Sequence, residues 1–206
     1  QMLTLFHAPM SRSSRLVWLI EELGADADIR YCDIRRMDGS GGRDPANPHP
    51  DGKVPALIHD GALITECAAV ALYLIDLFPE AEMGAPVGHR DRGEFLTWLA
   101  WGAGEMEPVL GPRLGGHIPT DPYSVRRYED MVDRLLDRLW SAPYLMGDRF
   151  SAADVMIGST LMWARAHLPE SPTLDAYIAR IENRPARLRA MARDGDMAAM
   201  TSNRAA

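Results

Sequence analysis

The sequence predicts a small α/β domain followed by an all-α domain. Three observations carry that expectation. Up to about residue 78, short β-type runs interleave with helical stretches, and the last two runs meet at a two-residue turn, Asp60-Gly61. Beyond about residue 88, apolar residues recur at helical spacing only. Between them, residues 79–88 hold Pro79, Gly84, Pro86 and Gly88 and read as a linker. The expected divisions are therefore 1–78, 79–88 and 89–206.

Leu3 to His7 is a strand candidate. A turn-rich segment, Ala8 to Ser14, leads into a helix carrying Leu16, Leu19, Ile20 and Leu23. Ser11, Ser13 or Ser14 can cap it, and Gly24 ends it. Ile29 to Ile34 is a second strand, so this stretch reads as a parallel βαβ unit. Residues 35–52 are a Gly- and Pro-rich loop. Val54 to His59 is a third strand, and Ala62-Leu63-Ile64 returns from the turn. Thr65 is placed to cap a helix running from Glu66 to about Leu77. The order β-α-β, loop, β-β-α predicts a mixed four-stranded sheet of thioredoxin-like arrangement.

The second half predicts helices over 89 to about 116, Pro122 to Trp140, Val155 to about His167, and Leu174 to Met191. Gly102 and Gly104 weaken the first of these by about 1 kcal/mol each. Their presence predicts a close approach to the backbone. Ser151-Ala152-Ala153-Asp154 has capping-box form, with Asp for the usual Glu.

Composition narrows the function. A count of 29 acidic against 22 basic residues gives a charge of −7, which argues against neutralising many duplex phosphates. No apolar run approaches the roughly 18 residues of a membrane span. The first residues carry no basic, signal-like region. Cys32 and Cys67 form no disulfide framework and have no metal-ligand spacing, and no His pattern suggests a metal. A cytoplasmic protein without metal, nucleic-acid or membrane partner is the expectation. Lys53 is the one lysine in the chain. Arg180, Arg184, Arg187, Arg189 and Arg193 read as a solvated helix face.

Three places carry possible chemistry. Ser11-Arg12-Ser13-Ser14 begins a helix, whose free N–H groups favour an anion and lower the pKa of a thiol placed there. A serine hydroxyl there either caps the helix or donates to a thiolate. With no Cys in this loop, a thioredoxin-type redox centre is excluded. At Lys53-Val54-Pro55, the proline either simply starts a strand or, if cis, turns the preceding backbone outward to pair with a peptide. At Thr65-Glu66-Cys67, Glu66 either complements the helix dipole or binds an ammonium, beside the N–H of Cys67 for a carboxylate.

As an ordered set, these pieces resemble the glutathione transferase family over Leu3 to about Met191. The resemblance rests on Ser11 four residues before Arg15 in Ser-Arg-Ser-Ser-Arg-Leu-Val-Trp-Leu-Ile-Glu-Glu-Leu-Gly. It rests also on Asn47-Pro48 leading to Gly52-Lys53-Val54-Pro55-Ala56-Leu57, on Glu66-Cys67 before Ala68-Ala69-Val70-Ala71-Leu72-Tyr73-Leu74, and on Phe150-Ser151-Ala152-Ala153-Asp154.

The resemblance implies glutathione as co-substrate in the first domain. Ser11 would donate to its sulfur, with Arg12 and Ser13 alongside. Val54, ahead of a cis Pro55, would pair with the cysteinyl backbone. Glu66 and Cys67 would hold the γ-glutamyl end, and Lys53 would lie toward the peptide's other carboxylate. An apolar electrophile would be drawn against Pro9, Met10, Trp101, Met106 and Arg113. A homodimer is implied as well.

The sequence departs from the family at three places. Cys67 stands where Ser or Thr is common, and a thiol is the weaker donor. His49-Pro50-Asp51 intervenes where relatives often pass directly from Asn-Pro to Gly. The loop from Arg35 to Asp44 lacks an obvious match to the family's usual basic contacts, although Arg36 and Arg43 are available. Two alternatives share the resemblance: another glutathione-dependent enzyme, an isomerase or dehalogenase, and a non-catalytic binding protein. The Ser-Ser-Cys run of zeta-type isomerases is absent at Pro9-Met10-Ser11.

Overall fold

The computed structural model describes the backbone of residues 2–204 and the side chains of residues 2–195. The chain forms two compact units, one comprising the residues up to Ala81 together with the C-terminal helix, the other Glu82–Arg184.

In the first unit, β1 (Leu3–His7), β2 (Asp28–Tyr31), β3 (Ala56–His59) and β4 (Ala62–Thr65) form one sheet in the order β2-β1-β3-β4. β1 pairs parallel with β2 and antiparallel with β3, and β3 pairs antiparallel with β4. This is the predicted mixed sheet. Central β1 is buried on both faces through Leu3, Thr4, Leu5 and His7. The Asp60-Gly61 turn has both residues at positive φ, as the two-residue hairpin requires.

Helix α1 (Ser14–Leu23) buries Leu16, Val17, Trp18, Leu19, Ile20 and Leu23. Gly24 ends it at φ 60, in the left-handed region, and donates its N–H back to Glu21 and Ile20. Helix α2 (Cys67–Leu77) follows β4.

The second unit holds α3 (Arg92–Trp101), a π-helical turn over Gly102–Met106, α4 (Glu107–Leu114), α5 (Pro122–Ser141), α6 (Ala152–Trp163) and α7 (Pro172–Glu182). The single helix expected over 89–116 is thus interrupted by the π turn. The close approach predicted there is found at Gly102, where a Cβ would lie 3.0 Å from Ile157 Cγ1. At Gly104 nothing lies within 4 Å.

Buried α6 is the centre of this unit. Its capping box is complete: Ser151 Oγ accepts from Ala153 N–H, and Asp154 Oδ2 accepts from Ser151 N–H. Asp154 Oδ1 accepts also from Leu145 N–H at 3.0 Å and from the Tyr177 hydroxyl at 2.7 Å. Burial raises the Asp154 carboxyl above its ordinary pKa, against the pull of these hydrogen bonds.

The C-terminal region departs from expectation twice. The helix predicted from Leu174 to Met191 is two helices, α7 and α8 (Pro185–Arg204), because Pro185 cannot continue the ladder and restricts Arg184 before it. Helix α8 also packs on α1, within the first unit, instead of completing a helical domain of 89–206. Arg189 and Arg193 bond Glu21 on α1 at 2.8 and 2.7 Å. Arg187 stacks over Trp18 and Arg184 over Phe150, while Arg180 donates to the Pro143 carbonyl. The arginine series thus remains solvent-facing, with Arg180 and Arg189 exposed, but lies on two helices and is paired and packed along them.

Candidate active site

The pleat of β1 buries His7 at the strand's C-terminal end. The loop that follows climbs to α1 and carries the serines. Ser13 occupies the N-cap position, but its φ and ψ of −74° and −15° are already helical and its side chain makes no cap bond. Its hydroxyl turns inward to His7 Nδ1, at 2.5 Å. The capping expectation for Ser13 is corrected accordingly.

Ser11 is half-buried. Its hydroxyl donates to the Ala8 carbonyl at 2.6 Å, accepts from Ser13 N–H at 3.2 Å and lies 2.8 Å from Ser13 Oγ. Arg12, between them, is exposed.

Asp194, from α8, completes the cluster. One carboxylate oxygen lies 2.5 Å from His7 Nε2. The other accepts from the Ser14 hydroxyl at 2.6 Å and from Met10 N–H at 3.2 Å. Burial pushes this carboxyl up, but the His7 and Ser14 hydrogen bonds outweigh it and hold the pKa below the ordinary value. Sequence reasoning found neither His7 nor Asp194. A polar residue at a fully buried position of a central strand was the available signal for His7.

Strand register gathers the remaining candidates. Phe6 pairs with Ala56, and Ala56 with Thr65, so Pro55 and Glu66 lie at the same end of the sheet as His7. The Val54–Pro55 peptide is cis. Asn47 Nδ2 donates to the Lys53 carbonyl at 2.9 Å, tying down the approach to it, and Lys53 itself is exposed.

Glu66, not Thr65, takes the N-cap position of α2, with φ 70 and no side-chain cap bond. A non-glycine residue in the left-handed region costs about 1–3 kcal/mol and persists only where its surroundings hold it. Cys67 Sγ lies 3.7 Å from the Arg12 carbonyl, which joins the start of α2 to the serine loop. Ser11, Arg12, Ser13, Val54, Pro55, Glu66 and Cys67 thus share one end of the first unit.

Of the candidates for an apolar pocket, Pro9 is buried and Met10 exposed, with φ 52. Arg36 donates to both their carbonyls, at 2.7 and 3.1 Å. In the helical unit, Met106 is 1% exposed and serves the interior. Trp101 packs edge-on against Trp98 beneath Arg134. The Arg113 guanidinium lies 3.8 Å from the Tyr128 ring.

Cys32 is buried against the His7 carbonyl, and burial, reinforced by the Asp44 charge, pushes its thiol up to about 11. It is a neutral core thiol. Among the described residues, no group of three His, Cys, Asp or Glu side chains could hold a metal ion, and no helix is long and apolar enough to cross a membrane.

Family comparisons agree along the chain. The family described as "Glutathione S-transferase, N-terminal domain" matches residues 1–76, and that described as "Glutathione S-transferase, C-terminal domain" matches residues 93–190. A crystal structure of a glutathione transferase from Methylococcus capsulatus is 30% identical, superposes with a TM-score of 0.78, and aligns over 94% of this chain and 99% of that one. A sphingomonad glutathione S-transferase complexed with glutathione is 28% identical, with a TM-score of 0.76 over 93% of this chain and 98% of its own. The disulfide-bond oxidoreductase YfcG of Escherichia coli K12 is 28% identical over 90% of this chain and 92% of its length.

Proposed function

The chain belongs to the glutathione transferase family, and we propose that it conjugates the thiolate of glutathione to an apolar electrophile. The observation that carries this reading is the Ser11 hydroxyl at the start of α1, in a loop without cysteine. The nucleophilic sulfur must then come from the ligand, and the protein's part is to stabilise its charged form.

In this reading the Val54 backbone pairs with the cysteinyl part of glutathione. Glu66 takes the γ-glutamyl ammonium, and the Cys67 N–H, at the first turn of α2, takes the adjoining carboxylate. Arg12 and Ser13 frame the loop around the sulfur, and Lys53 lies toward the glycyl carboxylate. The strained backbone of Glu66 supports a functional position. The thiolate attacks an electrophilic carbon, a C–S bond forms, and the leaving group departs with its electron pair. The active form is a homodimer of cytoplasmic location, and sedimentation at micromolar concentration reads its mass directly.

The purified chain, given glutathione and an aryl halide, should form the thioether faster than buffer does. Reduction of a small organic disulfide without thioether formation would instead assign the oxidoreductase chemistry named for YfcG. Glutathione binding with neither activity would assign a binding protein.

Cys67→Ser should tighten glutathione binding about threefold, a fraction of the roughly 1.5–3 kcal/mol of a charge-assisted hydrogen bond. The gain is only a fraction because the backbone N–H already serves the same carboxylate. Calorimetry showing unchanged or weaker binding would mean that the side chain of residue 67 stays on the Arg12 carbonyl.

A further inference from the structure

Asp194, His7, Ser13 and Ser11 form an unbroken line of hydrogen-bonding groups, from α8 through the sheet end to the serine loop. We propose that His7, oriented by Asp194, accepts the glutathione thiol proton through Ser11 and Ser13. This rests on the conjugation reading above and names where the proton goes.

Counting donors supports the direction of transfer. The Asp194 carboxylate can only accept, so His7 Nε2 carries a proton toward it. In the neutral ring Nδ1 is then bare, and its partner at 2.5 Å, Ser13 Oγ, must donate to it. Ser13 has no second proton to offer Ser11. Ser11 in turn points its own proton at the Ala8 carbonyl, 2.6 Å away. With the imidazole neutral, every hydroxyl of the chain donates inward.

Ionisation of the thiol reverses this polarity. The S–H bond breaks with its electron pair left on sulfur, and the proton passes to Ser11 Oγ. The Ser11 proton moves to Ser13 Oγ, and the Ser13 proton bonds to the Nδ1 lone pair. The products are a thiolate and an imidazolium, with no proton lost or gained. Each hydroxyl now donates outward, and Ser11 donates to the thiolate. The imidazolium, fully buried, is compensated by Asp194 at hydrogen-bond distance.

Ser13 is also fully buried, so the Ser–His–Asp line has no exposed hydroxyl nucleophile at Ser13 and does not read as a hydrolase site.

The other charged and titratable groups around His7 leave this role to Asp194. β2 places Tyr31 opposite His7 in register and brings Cys32, whose thiol stays neutral. α1 begins at Ser14, which Asp194 holds, and its Glu21 is held by Arg189 and Arg193. β3 faces this end of β1 with Ala56.

The deciding experiment uses the unmodified protein, labelled with ¹⁵N. The ring-nitrogen shifts of His7 are recorded with saturating glutathione and with S-methylglutathione, while ultraviolet absorption reports thiolate. His7 should gain a second proton with glutathione and not with the methylated peptide. A thiolate formed while the His7 ring is unchanged would overturn the relay and leave the conjugation reading standing. No thiolate and no conjugation would overturn both.

Variants add a second readout. Asp194→Asn should raise the apparent pKa of the bound thiol by about one unit, a tenfold loss of thiolate at neutral pH. kcat should fall alongside while glutathione affinity changes less than about twofold. His7→Asn keeps a polar atom toward Ser13 but takes no proton, and adding Asp194→Asn to it should move the thiol pKa no further. Loss of kcat that tracks melting temperature, with the thiol titration unmoved, would make both residues structural only.

Discussion

Ser11→Ala should lower turnover at neutral pH by roughly 30-fold, with most of the loss recovered above about pH 9. The factor follows from ionisation. A free thiol with a pKa near 8.5 is only a few per cent thiolate at pH 7, whereas a shift of about two units makes thiolate dominant. A hydroxyl that donates to the charged form favours that form, so its removal raises the thiol pKa and activity returns once pH exceeds it.

Glutathione affinity should move by less than about threefold, because the contacts proposed for Val54, Glu66 and Cys67 do not involve the sulfur atom. A pH–rate profile for kcat, with binding measured separately, checks both statements. Ser13→Ala should follow Ser11→Ala in the same direction, since its hydroxyl bridges Ser11 and His7 and does not cap α1. If Ser13→Ala alone abolishes turnover, Ser13 and not Ser11 governs the sulfur.

Asp154→Ala should destabilise the protein by about 3–5 kcal/mol, a large share of the 5–15 kcal/mol typical of a folded domain. The substitution strands three buried donors at once: the N–H groups of Ser151 and Leu145 and the Tyr177 hydroxyl. Each stranded group costs about 1–3 kcal/mol of unrecovered desolvation. Asp154→Asn keeps one acceptor oxygen and should lose about half as much, and Tyr177→Phe, which removes a single donor, about 1 kcal/mol. Urea unfolding with an unchanged slope and lowered midpoints in that order is the expected result. Equal losses for all three would mean that cavity and packing, not the acceptor oxygens, set the cost.

Local chemistry was legible in the sequence because it is written within a few residues. The Asp60-Gly61 hairpin, the Gly24 stop, the Ser151–Asp154 box and the alternation of β and α elements each depend on neighbours, and they yield the mixed sheet and the buried helix. The close approach at Gly102 was legible too, although its partner, Ile157, was not.

What sequence periodicity concealed was longer in range. Tyr177, Ile181 and Leu188 continue a helical rhythm straight through Asn183-Arg184-Pro185, so one helix was expected where two exist. The arginines beyond the break face solvent as expected, but their partners, Glu21 and Trp18, were hidden because they lie far back in the chain. Ser13 looked like a cap because serine before a helix usually is one. Its actual partner, His7, is set by the pleat of β1, and no spacing rule reaches Asp194, 187 positions further on.

That separation has a consequence during synthesis. β1, α1 and the serine loop leave the ribosome well before the carboxylate that anchors His7, which lies 187 positions further on. At about 5–20 residues per second, roughly 10–40 s pass between the two. Through that interval the nascent first unit has its sheet and its serines but not α8, so α1 has an uncovered face and His7 an unanswered nitrogen. Shortened products of interrupted translation would share that state however well their sheet folds. Only a chain translated through Asp194 can therefore assemble the full hydrogen-bonded line.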